Sequence, residues 1–329
     1  MQDLLTIENL KIEFETQKGI VSAVDGINLT VKKGETLCIV GESGCGKSVT
    51  SLAVMQLLNT PPARYTDGRI IFNGEDLLKK TEKEMCDIRG YKIAMIFQEP
   101  MTALNPVYTI GRQIIETIRR HNSAITKQDA QKRAEELLEL VGIREPERRM
   151  KEYPHQLSGG MRQRVMIAIA LSCDPELLIA DEPTTALDVT IQAQILNLLK
   201  KLRRELNMTI ILITHDLGVV AQMADRVSVM YGGTVVEESG VQDFFANPRH
   251  PYTKALLECI PRLDIPRNTL YTINGSVPNL LERPAGCIFR NRCSRAAECC
   301  AKQKPVLEWD NEHGTACFFP YNKTDKETL

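Results

Sequence analysis

Gly41-Glu42-Ser43-Gly44-Cys45-Gly46-Lys47-Ser48 follows a short apolar run, Thr36-Leu37-Cys38-Ile39-Val40, and opens a stretch with helical spacing. The run predicts a buried strand, and a helix is expected from Lys47 through about Leu57. Gly41, Gly44 and Gly46 let the backbone bend so that its N–H groups face phosphate oxygens. Lys47 places a positive charge at a β/γ-phosphate, and the Ser48 hydroxyl suits Mg²⁺. Glu42, Ser43, Cys45 and Val49 complete the expected nucleotide contacts. The helix N-terminus adds favourable partial charge. With both flanking elements in place, a chance glycine-rich turn is the poorer reading.

Four further segments complete the constellation. Leu177-Leu178-Ile179-Ala180 predicts a buried strand that ends on Asp181 and Glu182. A carboxylate at a strand end can hold Mg²⁺ directly or through water. Ile93-Ala94-Met95-Ile96-Phe97 predicts another strand, followed by Gln98. Thr209 to Ile213 predicts a third, followed by Thr214 and His215. Between them Leu157-Ser158-Gly159-Gly160-Met161 opens a helix. A hydroxyl and free N–H groups at a helix start suit a γ-phosphate. The plainer reading there is an ordinary serine N-cap.

Taken in this order, the segments resemble the motifs of ATP-binding-cassette (ABC) ATPases over roughly the first 245 residues. The resemblance implies an α/β P-loop domain with a mixed sheet, an antiparallel lobe and a helical subdomain. It implies that Glu182 polarises the attacking water and that His215 is the switch histidine. Gln98 would be the Q-loop glutamine, touching Mg²⁺ with Ser48 and Asp181. Ser158, Gly159 and Gly160 would close over the ATP of a partner subunit. Ala186-Leu187-Asp188 resembles the D-loop that couples two such sites. One departure stands out. Where many ABC ATPases stack adenine on an aromatic residue this chain has Val21, with Phe14 or another residue left to substitute.

The rest of the chain fits that frame. Leu5 to Phe14 and Val24 to Val31 alternate apolar and polar residues, as half-buried strands do. Residues from about 100 to 172 lack strand patterns, while Ala130–Val141 and Met161–Leu171 show helical spacing. A helix over about 190–206 separates two buried strands, as in a parallel α/β sheet. Val227–Tyr231, Gly232-Gly233 and Thr234–Glu237 predict a hairpin. We therefore expect a nucleotide-binding domain over 1–246 and an appendage over 247–329. Lys and Arg number 41 against 42 Asp and Glu, which argues against a dedicated nucleic-acid binder. No apolar run reaches the ~18 residues that a membrane helix needs. Met1-Gln2-Asp3-Leu4-Leu5 lacks the basic start of a signal peptide, so a cytosolic chain is expected.

Beyond Asn247 prolines recur and the chain becomes loop-rich. Small units of that kind often need a staple. Five of the ten cysteines lie between Cys287 and Cys317. Thiolates converging there would suit an iron–sulfur cluster or Zn²⁺, with unligated thiols as the bland alternative. Arg283, Arg290, Arg292 and Arg295 read as a solvated face or as contacts to membrane subunits. Arg249-His250-Pro251-Tyr252-Thr253-Lys254-Ala255-Leu256-Leu257 resembles the segment after the nucleotide domain in dipeptide/oligopeptide importers, as do Gln98–Pro106 and Asp181–Thr190. That resemblance implies a [4Fe–4S] cluster on Cys287, Cys293, Cys300 and Cys317, with Zn²⁺ as the alternative. It further implies a homologous second ATPase subunit, two integral membrane permease subunits and an extracytoplasmic peptide-binding protein. The chain would then work at the cytoplasmic face of the inner membrane. A nickel importer of the same family is the alternative substrate reading. A non-transport ABC ATPase would carry tandem cassettes or a long coiled coil, and this chain has neither.

Overall fold

The computed structural model describes residues 2–99, 103–185, 187–260 and 271–322. Pro100, Met101, Thr102 and Ala186, which carry part of the family resemblance, lie outside the described residues. The chain divides into two compact units, one built on 79–213 with short pieces at 2 and 32–35, the other on 3–31, 36–78 and 214–322.

The second of these units opens with β1 (Asp3–Thr16) and β2 (Gly19–Lys32). On β1 the residues Ile7, Leu10 and Ile12 are buried and their neighbours more exposed, as the alternation predicts. β3 (Thr36–Val40) is buried throughout and leads into α1 (Lys47–Val54). β4 (Ala63–Phe72), which no sequence pattern indicated, pairs antiparallel with β1. With β5 (Glu75–Asp76) these strands form a four-stranded sheet ordered β2-β1-β4-β5. The β1–β4 register slips at Asn9 and Lys11. Gly68 lies opposite with φ +99°, and a Cβ there would stand 2.5 Å from Leu10 Cα, so only glycine fits this bulge.

The other unit carries α2 (Glu82–Ile88), whose Thr81–Glu84 capping box satisfies its first turn. It continues through β6 (Ile93–Ile96), α3 (Ile110–His121), α4 (Lys127–Leu140), α5 (Pro146–Arg149) and α6 (Gly159–Ala170). α3, α4 and α6 pack on one another, and α6 also packs on β6. Then come β7 (Leu177–Asp181), α7 (Val189–Leu206) and β8 (Thr209–Ile213). β6, β7 and β8 are parallel neighbours, fully buried, as strands covered on both faces must be.

From Thr214 the chain returns to the unit of β3, beginning with α8 (Leu217–Met223). β9 (Arg226–Tyr231) lies parallel to β3, and β10 (Thr234–Gly240) turns back antiparallel. The turn uses Gly232 and Gly233 at φ +52° and +81°. α9 (Val241–Ala246), α10 (Pro251–Glu258) and α11 (Glu298–Lys302) follow. β11 (Glu308–Asp310) and β12 (His313–Thr315) then extend the sheet, with β12 antiparallel to β10. The appendage is thus continuous with the sheet that carries the phosphate loop. No helix among the described residues is long and apolar enough to cross a membrane.

Candidate functional site

The loop between β3 and α1 is shaped by close packing. Gly46 is the N-cap of α1 at φ +100°, and a Cβ there would meet Ala23 O at 2.6 Å. Gly233 donates its N–H to Cys45 O at 3.0 Å, so the β9–β10 turn supports the loop from below. The ammonium of Lys47 donates to Gly41 O at 2.8 Å and to Glu42 O at 3.0 Å. Ser43, Gly44 and Ser48 are exposed, whereas Lys47 is buried. Cys45 is 1% exposed. Burial pushes its thiol up, against the pull of Lys47. That is the environment of an inert thiol, not a reactive one. His215 is exposed just after β8. Thr214 donates its N–H to Ile39 O at 3.3 Å, and the Asp216 carboxylate accepts the Gly218 N–H at 2.8 Å to cap α8.

In the other unit, Asp181 ends β7 with 5% exposure. Glu182 follows in the left-handed region, at φ +46°. Its N–H donates to Ile213 O at 2.9 Å. One carboxylate oxygen, Oε2, accepts from Gln98 Nε2 at 2.8 Å and from Thr185 Oγ1 at 2.9 Å. Two residues named separately in the sequence are therefore in contact. Thr185 is a third member that the sequence reading had not assigned. Its only advance signal was its place in the Asp181–Thr190 segment. The left-handed backbone at Glu182 costs on the order of 1–3 kcal/mol, a strain that recurs where a side chain must be aimed. Asp181 and Gln98 in this unit, and Ser48 in the other, each carry an oxygen donor of the kind that suits a hard cation such as Mg²⁺.

Ser158 caps α6, its Oγ accepting the Met161 N–H at 3.3 Å. The plainer reading of this serine is thus realised, yet the residue stays exposed along with Gly159. Gly160 faces α7, and a Cβ there would come within 2.8 Å of Ile191 Cγ2. Asp188 plays the same local part for α7, accepting the Ile191 N–H at 2.9 Å.

The cysteines require a correction. Among the described residues no group of three or more His, Cys, Asp or Glu side chains is placed to hold a metal ion. Cys287, Cys293, Cys300 and Cys317 are free thiols, so neither the expected [4Fe–4S] cluster nor its zinc alternative is supported. Burial pushes the Cys317 thiol up to about 11 and raises those of Cys287 and Cys293. The appendage is held by other means. Tyr231, Tyr252 and Phe289 pack together, with ring centroids 4.6 to 5.3 Å apart. Buried Glu237 accepts the Arg249 and His250 N–H groups at 2.8 Å and meets His313 Nε2 at 2.6 Å. Arg292 is no solvated residue either, with a side chain 6% exposed and directed at Glu42.

Comparison with known proteins identifies the family. Residues 24–185 match the ABC transporter family, and residues 236–300 match the C-terminal region of oligopeptide/dipeptide transporters. The dipeptide transport ATP-binding protein DppD of Bacillus subtilis is 53% identical over 93% of this chain and 91% of its own length. The oligopeptide transport ATP-binding protein AppD of the same organism is 52% identical over 99% of both chains. The chain belongs to the ATP-binding proteins of dipeptide and oligopeptide ABC transporters. As an ABC ATPase it hydrolyses ATP with Mg²⁺. Its fold neighbours include the cassette MJ0796, solved as a dimer with ADP and Pi, at TM-score 0.65 and 30% identity, covering 72% of this chain and 99% of that one. In this ABC ATPase the match to the C-terminal family region takes in both Tyr252 and Arg292.

Proposed function

We propose that this chain energises the import of di- or oligopeptides as a peripheral subunit on the cytoplasmic face of the cell membrane. It would work with a homologous second ATPase subunit, two membrane permease subunits and an extracytoplasmic peptide-binding protein. In this reading residues 1–246 are the nucleotide-binding domain, with a helical subdomain at about 100–172, and 247–329 form the peptide-importer appendage.

The observation that carries the mechanism is the pair of hydrogen bonds to Glu182 Oε2, from Gln98 at 2.8 Å and Thr185 at 2.9 Å. They aim the carboxylate as a general base. Lys47 and the loop from Gly41 to Val49 hold the phosphates. His215 stabilises charge developing on the γ-phosphoryl group, and Ser158, Gly159, Gly160 and Asp188 act across the partner interface. Ser48, Asp181 and Gln98 would hold Mg²⁺, which when bound neutralises the β- and γ-phosphate oxygens. The test is Glu182→Gln. Steady-state ATP hydrolysis should disappear while nucleotide binding persists, and uptake of a labelled dipeptide by cells carrying the variant should stop. Hydrolysis at the wild-type rate would remove Glu182 from the base role. Continued peptide uptake without any functional copy of the chain would remove the transport assignment.

A further inference from the structure

Two residues of the C-terminal region bond one and the same residue of the phosphate loop. Arg292 grips the Glu42 carboxylate with both arms of its guanidinium, Nη1 to Oε2 at 2.6 Å and Nη2 to Oε1 at 3.1 Å. Tyr252 Oη accepts the main-chain N–H of Glu42 at 2.9 Å. The guanidinium is itself fixed, since Nε donates to Asn274 O at 3.0 Å, Nη2 to Ile273 O at 3.3 Å and Nη1 to Tyr231 Oη at 3.3 Å.

Two consequences follow for an anion-binding loop. The peptide whose N–H Tyr252 holds is the one whose carbonyl, Gly41 O, accepts from Lys47 Nζ at 2.8 Å, so fixing the first orients the second. The charge of Glu42 is the other. A carboxylate in a loop that receives phosphates opposes its own ligand by like-charge repulsion. The bidentate guanidinium cancels that charge at short range and holds it in a fixed direction.

We propose that Arg292 and Tyr252 are positioning residues for ATP binding, holding Glu42 so that the loop stays geometrically set and electrostatically open to phosphate. The C-terminal region thereby sets the nucleotide affinity of the cassette. The proposal rests on the assignment of 41–48 as the phosphate loop.

The experiment is an equilibrium titration of the full-length chain with MgATP, alongside thermal unfolding. Arg292→Ala should raise Kd about tenfold, the size expected for unpairing a partly buried charge. Adding Glu42→Gln to Arg292→Ala should restore Kd to within about twofold, because the uncancelled charge is gone. Arg292→Lys should fall between, keeping the charge but losing the fork. Tyr252→Phe removes only a hydroxyl and supplies a readout should Arg292→Ala not fold. A Kd unchanged in both Arg292→Ala and Tyr252→Phe overturns the proposal. So does a defect in Arg292→Ala that Glu42→Gln leaves in place and that tracks the unfolding midpoint. Lys47→Ala separates the two levels. If it binds MgATP like the wild type, the loop assignment falls. If it loses binding while Arg292→Ala does not, only the clamp falls.

Discussion

Glu182 takes a left-handed backbone at φ +46° and shares one oxygen between Gln98 and Thr185. If those two donors aim the carboxylate, Thr185→Val should lower the hydrolysis rate about tenfold while nucleotide affinity changes less than about twofold. A shift confined to affinity would mean that Thr185 shapes the pocket and not the base. Cys45 gives a second expectation at this scale. Buried at 1% exposure with its thiol pushed up, it should escape maleimide labelling in the folded chain and react once the chain is denatured, as read by peptide mass spectrometry. Lys47, Ser48 and Asp181 were legible as candidates from the phosphate-loop motif and a strand end, whereas Gln98, Glu182 and His215 were candidates only through the family resemblance. Thr185 was not, since a threonine earns its role only from which oxygen it reaches.

Helix starts carry much of the chemistry, and at each the structural and functional uses of a cap compete. Ser158 satisfies the Met161 N–H in α6. Ser158→Ala should therefore cost about 1 kcal/mol of stability, and Ser158→Asn should recover most of it. If the hydroxyl also serves the partner's nucleotide, Ser158→Asn will not recover hydrolysis in the assembled transporter. Recovery of both would reduce Ser158 to a cap. The period-two strands β1 and β2 and the buried strands β3, β6, β7 and β8 were readable from their patterns. β4 was not, because Arg64, Thr66, Asp67 and Arg69 lie along its exposed positions and break the alternation. β11 and β12 span three residues each, too few for any period to register.

Taken whole, the C-terminal region is held by packing and by buried hydrogen bonds. Phe289 is 2% exposed between Tyr231 and Tyr252, so Phe289→Ala should cost about 3–5 kcal/mol in a chemical denaturation series. His250 adds a pH dependence. Its Nδ1 accepts the Tyr252 N–H at 3.0 Å, and burial lowers its pKa from 6.5 to about 4. Between those values the unfolded chain binds a proton that the fold refuses, so stability is full above pH 6.5 and falls as pH drops towards 4. The loss should be on the order of 3 kcal/mol, and His250→Asn should flatten that slope in unfolding curves measured across the window. The sequence by itself determined the phosphate loop, the strand-end carboxylates and the cassette order, because each of these is written in consecutive residues with a local period. Only the tertiary structure decided that Arg292 and Tyr252 hold Glu42 and that, among the described residues, the clustered thiols are not gathered into a group placed to hold a metal. The first outcome joins segments 250 and 210 positions apart, the second turns on how the loops over 287–317 fold, and no spacing along a chain encodes either.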